Sequence, residues 1–190
     1  MVANLKNHNP KIIQIVQKPN RVIAIASSLG GIQTLITVIS ALPPDLPAAI
    51  LLVQHLSPHC ESHLTEILTR YTDLEVREAE EGTILKARTI YVTPPDKHLI
   101  VNETQTLSLS SAPKAHFVRP SAEYTFKSLA NNYGEKAIAI VLTGCDGDGK
   151  EGVKVISQMG GKVIAIGDKL RRYIVCQAGN GDKSREGLAL

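Results

Sequence analysis

The stretch Val22–Gly31, with the sequence VIAIASSLGG, decides the fold of this chain. Its first five residues are a continuous apolar run, which is typical of a strand buried on both faces of a parallel sheet. The paired glycines at its end permit a tight turn. From Ile32 onwards, apolar residues recur at helical spacing until Pro43 and Pro44. The stretch therefore predicts a strand, a turn and a helix in succession.

The same alternation continues along the chain and predicts an α/β domain. It favours a doubly wound, mostly parallel sheet with helices on both faces. Four short strands separated by Gly, Pro and Asn signals suggest an antiparallel excursion within it. Further long strands are predicted at Ala48–Val53, Ala137–Leu142 and Lys162–Ile166, and short ones at Leu74–Arg77, Thr89–Val92, His98–Val101 and Thr106–Leu109. Helices are predicted from Pro58 to about Arg70, from about Arg119 to Tyr133, and from the loop after Leu142 to Met159.

The length of 190 residues suits one domain with a hydrophobic core of its own. Residues 1–20 are polar and interrupted by proline, so we interpret them as a leader. The domain is predicted over residues 21–167. Residues 168–190 then form an atypical tail.

Composition excludes several classes of protein. A formal net charge of +3 is too small to indicate nucleic-acid binding. The three cysteines, Cys60, Cys145 and Cys176, show no C-x-x-C spacing, which favours reduced thiols in a cytoplasm over a disulfide framework. No signal peptide is recognisable, and no apolar run approaches the roughly 18 residues of a membrane span. We therefore predict a cytoplasmic protein without membrane insertion.

Three predicted strands end in segments that carry chemically useful side chains. Ser28 follows the first strand, His55 follows the second, and Asp148 lies in the Gly/Asp-rich loop after Ala137–Leu142. Functional groups in such sheets gather beyond the carboxyl ends of the strands. A serine hydroxyl becomes a nucleophile when an imidazole accepts its proton, and the imidazole needs a carboxylate to orient it. The residues predict a Ser–His–Asp site for acyl hydrolysis that uses no cofactor or metal.

The surroundings of Ser28 suit this hypothesis. Gly30 and Gly31 leave backbone N–H groups free at a helix N-terminus, where an oxyanion can be held. The chain order Ser, His, Asp differs from that of α/β-hydrolases, and no G-x-S-x-G motif is present. The alternative reading of each residue is structural. Ser28 would then cap the helix, His55 would be a polar edge residue, and Asp148 would stabilise a turn.

Two other kinds of site have partial support. Gly144–Lys150 nearly matches the phosphate-binding pattern G-x-x-x-x-G-K-[ST], but Glu151 replaces the hydroxyl that would ligate Mg²⁺. A zinc site is suggested by the crowding of His55, His59, Cys60 and His63. Against zinc, Ser57 and Pro58 are expected to start a helix after His55. That start separates His55 from the other three residues.

Six colinear motifs resemble the catalytic domain of the chemotaxis protein-glutamate methylesterases, the CheB type. They are spread over residues 21–167. The motifs are Ile25–Gly31 (IASSLGG), Val53–Pro58 (VQHLSP), Glu78–Gly82 (EAEEG), Tyr91–His98 (YVTPPDKH), Arg119–Ser121 (RPS) and Leu142–Gly149 (LTGCDGDG). The resemblance implies hydrolysis of glutamyl γ-methyl esters, and deamidation of particular glutamines, on the cytoplasmic helices of methyl-accepting chemoreceptors.

The resemblance also implies a role for each matched residue. Ser28 would be the nucleophile, His55 the general base and acid, and Asp148 its orienting carboxylate. The backbone N–H groups of Leu29 and Cys145 would hold the oxyanion. The family's receiver domain needs on the order of 100 residues, and only 21 precede Val22. Regulation is therefore expected from a separate receiver or chemotaxis protein.

Some residues depart from the family pattern and support an alternative. Leu29 replaces a small or hydroxylated residue, and Asp146 stands where the family favours Gly. Residues 167–190 also lack the G-M-P-containing segment that follows the family's sheet. These departures suit a catalytically degenerate domain that acts as a binding module for receptors or a chemotaxis partner.

Overall fold

The computed structural model describes residues 18–55, 62–142 and 147–166. Most of the predicted leader and the whole predicted tail lie outside these residues. The strands are β1 (Arg21–Ser27), β2 (Ala48–Gln54), β3 (Glu75–Glu78), β4 (Thr89–Val92), β5 (His98–Val101), β6 (Leu107–Ser110), β7 (Ala137–Val141) and β8 (Lys162–Ala165). The α-helices are α1 (Ile32–Ser40), α2 (Leu64–Thr69), α3 (Ala122–Tyr133) and α4 (Lys150–Gln158).

A six-stranded sheet in the order β3-β4-β2-β1-β7-β8 forms the centre of the structure, and every pair in it is parallel. This confirms the predicted α/β fold with a mostly parallel sheet. The antiparallel excursion is confirmed only for β5 and β6, which pair as a separate hairpin. Its extension to β3 and β4 was wrong, since both strands join the main sheet. The four residues of β4 are all buried, so a central position with both faces covered suits them.

Alternate residues of the central strands enter two separate cores, one on each face of the sheet. Val22, Ala24 and Ala26 of β1 pack with Phe126 of α3 and Ile156 of α4. The intervening residues of β1 and β2 pack on the other face with Leu35 and Ile39 of α1 and Leu64 and Leu68 of α2. The prediction of helices on both faces is confirmed. None of the helices in the described ranges is long and apolar enough to cross a membrane.

The helix starts differ from the predicted ones. Instead of beginning near Arg119, α3 starts at Ala122, because Ser121 is its extended N-cap and accepts a hydrogen bond from the Glu123 N–H. Pro120 also disfavours a helical conformation at the residue before it. The start predicted at Pro58 lies outside the described residues, and the described part of α2 begins after His63. The predicted stop at Gly134 is confirmed, with a left-handed φ of 48°.

The strand order reverses direction between β1 and β7. From β1 the chain moves through α1 to β2 on one side, whereas β7 and β8 lie on the other side. A crevice opens at such a reversal, outside the carboxyl ends of the two strands. The residues that follow β1, β2 and β7 are therefore brought to one edge of the sheet.

The close packing of α3 on α4 depends on Gly152. A Cβ atom added there would lie 2.6 Å from Phe126 Cβ. Gly152→Ala should therefore destabilise the fold by about 1–3 kcal/mol through overpacking. Urea unfolding measures this loss. Gly30→Ala is the control, since a Cβ there has nothing within 4 Å. Equal unfolding midpoints for the two variants would contradict the packing described here.

Candidate functional site

Asp148 occupies a turn between β7 and α4 that glycine makes possible. Gly147 and Gly149, on either side of it, have left-handed φ values of 90° and 81°. A Cβ at Gly149 would lie 2.8 Å from Phe126 Cε2, so the turn passes close beneath α3. As a result, the Asp148 side chain is buried, with only 4% of the residue exposed.

The N-terminus of α3 holds the Asp148 carboxylate. Ser121 Oγ donates to Oδ1 over 2.5 Å, and the Ala122 N–H donates to Oδ2 over 2.7 Å. A longer bond of 3.4 Å comes from the Glu123 N–H. Free N–H groups and the helix dipole favour an anion at this position. The carboxylate is therefore buried with several hydrogen-bond donors around it.

These donors decide the charge of Asp148. Burial alone raises the pKa of a carboxyl group, but hydrogen bonds from His55, Ser121 and the Ala122 N–H outweigh it here. They hold the pKa of Asp148 below its ordinary value. The group is therefore ionised at neutral pH, as an acceptor for an imidazole N–H must be.

His55 connects the end of β2 to this carboxylate. Its Nε2 lies 2.8 Å from Asp148 Oδ2, and its backbone N–H donates to the Ser27 carbonyl over 3.0 Å. The ionised carboxylate accepts, so Nε2 carries the proton of the neutral ring. Nδ1 is then the nitrogen with a free lone pair. The geometry leaves His55 Nδ1 available as a base.

Ser28 lies at the end of β1, beside His55. Its backbone is extended, with φ −114° and ψ 174°, and its side chain makes no capping hydrogen bond to the turn Leu29–Gly31. Its carbonyl instead accepts from the Gly31 N–H over 2.7 Å. Ser28 and His55 continue the alternation of β1 and β2 that faces α3. Within the described ranges, no hydrogen bond joins the Ser28 hydroxyl to His55.

Other predicted site residues are only partly described. The backbone of Leu29 begins a short 3₁₀ turn, whereas Cys145 lies outside the described residues. His59 and Cys60 of the zinc hypothesis also lie outside them, and His63 contacts Glu66 over 3.2 Å. Among the described residues, no group of three or more His, Cys, Asp or Glu side chains is placed to hold a metal ion.

Comparison with known proteins identifies the family of this chain. The family model described as "CheB methylesterase" matches residues 23–169. The chain belongs to the CheB methylesterase family. A crystal structure of the CheB methylesterase catalytic domain from Thermotoga maritima superposes with a TM-score of 0.72 at 34% identity, covering 75% of this chain and 77% of that one.

Two curated relatives show how far the similarity to CheB methylesterases extends. A protein-glutamate methylesterase/protein-glutamine glutaminase from Methanosarcina mazei is 37% identical over 84% of this chain, which spans 46% of that relative. A putative enzyme of the same description from Leptospira interrogans is 33% identical, with 75% of this chain and 74% of the relative covered. The chain thus spans under half of the Methanosarcina protein and most of the Leptospira one.

Two residues around the Asp148 carboxylate had no predicted role. Ser121 binds Asp148, and its own N–H donates to His98 Nδ1 over 3.2 Å. His98 is fully buried, is within hydrogen-bonding distance of the Pro113 carbonyl through Nε2, and stacks on Tyr124. A serine immediately before a helical pattern is a recognisable N-cap signal, so Ser121 was open to prediction. No sequence pattern indicates the partners of His98.

The buried Asp148 predicts an acid-sensitive stability. Because its pKa is lower in the folded chain, its stabilisation is fully present above the pKa of the unfolded state, about 4. The stabilisation is lost as the pH falls through the folded value. Urea unfolding from pH 7 to pH 3 should show Asp148→Asn much less stable at pH 7, with the difference narrowing as the pH falls. Asp45→Asn, on an exposed loop, should change little, and a pH-independent effect of Asp148→Asn would contradict the assignment.

Proposed function

We propose that this chain hydrolyses glutamyl γ-methyl esters on proteins, with Ser28 as nucleophile, His55 as general base and acid, and Asp148 as the orienting carboxylate. The contact that carries the proposal is the 2.8 Å pair between His55 Nε2 and the buried Asp148 Oδ2. It orients an imidazole beside the end of β1, where Ser28 lies. Membership of the CheB methylesterase family supports the same chemistry.

The first half of the reaction forms an acyl-enzyme. Ser28 Oγ attacks the ester carbonyl while its proton moves to His55 Nδ1. The carbonyl oxygen becomes an oxyanion, for which we assign the backbone N–H groups of Leu29 and Cys145 as donors. The C–O bond to the methoxy group then breaks. The proton on His55 passes to that oxygen, and methanol leaves.

The second half regenerates the enzyme. A water molecule gives a proton to His55 Nδ1 and attacks the acyl carbon, and the bond to Ser28 Oγ breaks as the proton returns to the serine. The products are the glutamate side chain and the free hydroxyl. With a glutamine side chain, ammonia replaces methanol as the leaving group. Asp148 stays ionised throughout and stabilises the imidazolium in each half.

The proposed substrates are the cytoplasmic helices of methyl-accepting chemoreceptors, which places the activity in the cytoplasm. We also propose that a separate receiver or chemotaxis protein regulates it. The alternative is a binding module without catalysis. Reaction with a serine-directed phosphonate separates the two, because only an activated Ser28 is labelled.

Ser28→Ala should lower methanol release from a methylated receptor by at least about 1000-fold, because it removes the nucleophile. Gas chromatography of the methanol measures this. Ser27→Ala is the matched control, since Ser27 is fully buried and its hydroxyl makes a long contact of 3.4 Å with the neighbouring carbonyl. Full turnover by a folded Ser28→Ala variant would refute the mechanism, and an unlabelled, inactive native chain would favour the binding module.

Ser121 binds Asp148 and donates its own N–H to His98, so a change at His98 leads to a second prediction. Burial lowers the pKa of His98, so the neutral ring accepts from Ser121 at Nδ1 and donates to Pro113 at Nε2. His98→Asn keeps an acceptor at the position of Nδ1, whereas His98→Gln keeps only a donor at the position of Nε2. His98→Gln leaves the Ser121 N–H unpaired, which costs about 1–2 kcal/mol. We therefore expect kcat to fall about tenfold with KM unchanged.

His98→Asn should keep kcat within about threefold of the native value by the same argument. Thr125→Val is the stability control, because it removes the buried 2.8 Å bond to Leu99 between α3 and β5 without touching Ser121. Steady-state ester hydrolysis measures all three variants. Equal losses of kcat in the Asn and Gln variants would show that His98 acts through stability alone.

A further inference from the structure

A two-residue turn holds an aromatic side chain almost entirely in solvent. Ala115 and Val118 form an isolated antiparallel bridge, and the Val118 N–H donates to the Ala115 carbonyl over 3.0 Å. His116 and Phe117 are the two central residues of the turn. Phe117 is 95% exposed, the most exposed of the large hydrophobic residues in the described part of the chain.

The backbone of this turn is strained. His116 has a φ of 49° and Phe117 a φ of 65°. Consecutive positive φ values are the conformation of a type I′ turn, in which Asn-Gly is strongly preferred. A side chain with a Cβ atom, above all a bulky one, is disfavoured there. The backbone of Phe117 is thus in an unfavourable conformation although its side chain is not buried.

The base of the turn is fixed to the rest of the domain. Arg119 Nε and Nη2 both contact Asp96 Oδ1 over 2.8 Å. Its Nη1 donates to the carbonyls of Ser111 and Ala112 over 2.9 and 3.0 Å. These contacts tie both ends of segment 111–119 to the loop before β5. Phe117 is therefore presented on an anchored support.

A short stretch of chain connects the turn to the proposed site. Phe117 precedes Ser121 by four residues, a separation that spans at most about 14 Å, and Ser121 Oγ binds Asp148. A helix is about 10–12 Å wide with its side chains. A helix rises about 1.5 Å per residue, so a substrate helix of about 20 residues is long enough to extend from Ser28 to this turn.

The charges around Phe117 indicate the character of such a helix. Lys114, His116 and Arg119 lie in segment 111–119, which contains no acidic residue. Lys97 adjoins the segment through a 2.6 Å bond to Ser111 Oγ. Arg119 is already paired with Asp96, so the positive charge of this region comes from Lys97 and Lys114. An apolar side chain near these lysines fits a helix with an apolar stripe flanked by acidic residues.

We propose that Phe117 is a docking contact that packs against the apolar stripe of the acidic substrate helix carrying the glutamyl ester. The strained turn keeps the ring exposed for this contact. The inference rests on the proposed function for the identity of the partner. It adds a recognition residue outside the Ser28, His55 and Asp148 set, and it assigns specificity for protein over small esters to this turn.

The first test separates docking from chemistry. Phe117→Gly should lower kcat/KM for a methylated chemoreceptor fragment about tenfold and leave hydrolysis of p-nitrophenyl acetate unchanged. The same variant should raise the melting temperature, because glycine relieves the strain. Tyr71→Ala is the control, since Tyr71 is also exposed, at 46%. It lies before the amino end of β3, whereas the proposed site lies at the carboxyl ends of the strands. Unchanged receptor turnover in Phe117→Gly, or equal losses on both substrates, would overturn the proposal.

The second test needs no turnover. In the Ser28→Ala background, binding to an immobilised fragment of the receptor should weaken about tenfold on adding Phe117→Gly and stay the same on adding Tyr71→Ala. Equal affinity in all three proteins would overturn the docking role. Binding that depends on Phe117 in a chain that releases no methanol would support docking while refuting the proposed esterase function.

Discussion

The Asp148 carboxylate is the interaction on which the rest of the site depends. It is a buried anion that accepts hydrogen bonds from the N-terminus of α3 and from His55. Each partner comes from a different part of the chain, so the carboxylate joins the end of β2, the start of α3 and the loop after β7. Removing a partner would leave a buried charge uncompensated, which costs far more than an exposed ion pair contributes. The same contacts therefore stabilise the domain and orient the imidazole.

The parallel sheet explains why residues so distant in sequence meet at this carboxylate. Reversal of the strand order between β1 and β7 opens a crevice at their carboxyl ends. Successive side chains of β1 and β2 point to opposite faces of the sheet, and Ser28 and His55 continue the set that faces α3. The glycines around Asp148, which adopt a left-handed φ without strain, then allow its loop to approach α3 closely. Fold and site are consequences of one topology.

Continuous apolar runs such as Val22–Ala26 predicted the long strands, because only a doubly covered strand lacks polar alternation. Short strands carry less information, and β3 and β4 were assigned to the wrong kind of pairing for that reason. Ser28, His55 and Asp148 were predicted as site residues because each follows a predictable strand, and the structure brings His55 and Asp148 together. His98 and Phe117 were not predicted to have a role. The sequence shows no periodic pattern for the hydrogen bond between residues 98 and 121 or for the positive φ at residue 117.

The orientation of His55 follows from its position in the sheet. Ser27 and Gln54 are register partners in β1 and β2, so Ser28 and His55 leave neighbouring strands about 4.8 Å apart. At that separation the base that we propose for Ser28 has to lie close to its own backbone, and Nδ1 is nearer the main chain than Nε2. Nε2 extends further and reaches Asp148, which lies beneath α3. In the chymotrypsin arrangement the two nitrogens have the opposite assignments, so adjacent parallel strands provide a physical reason for the exchange.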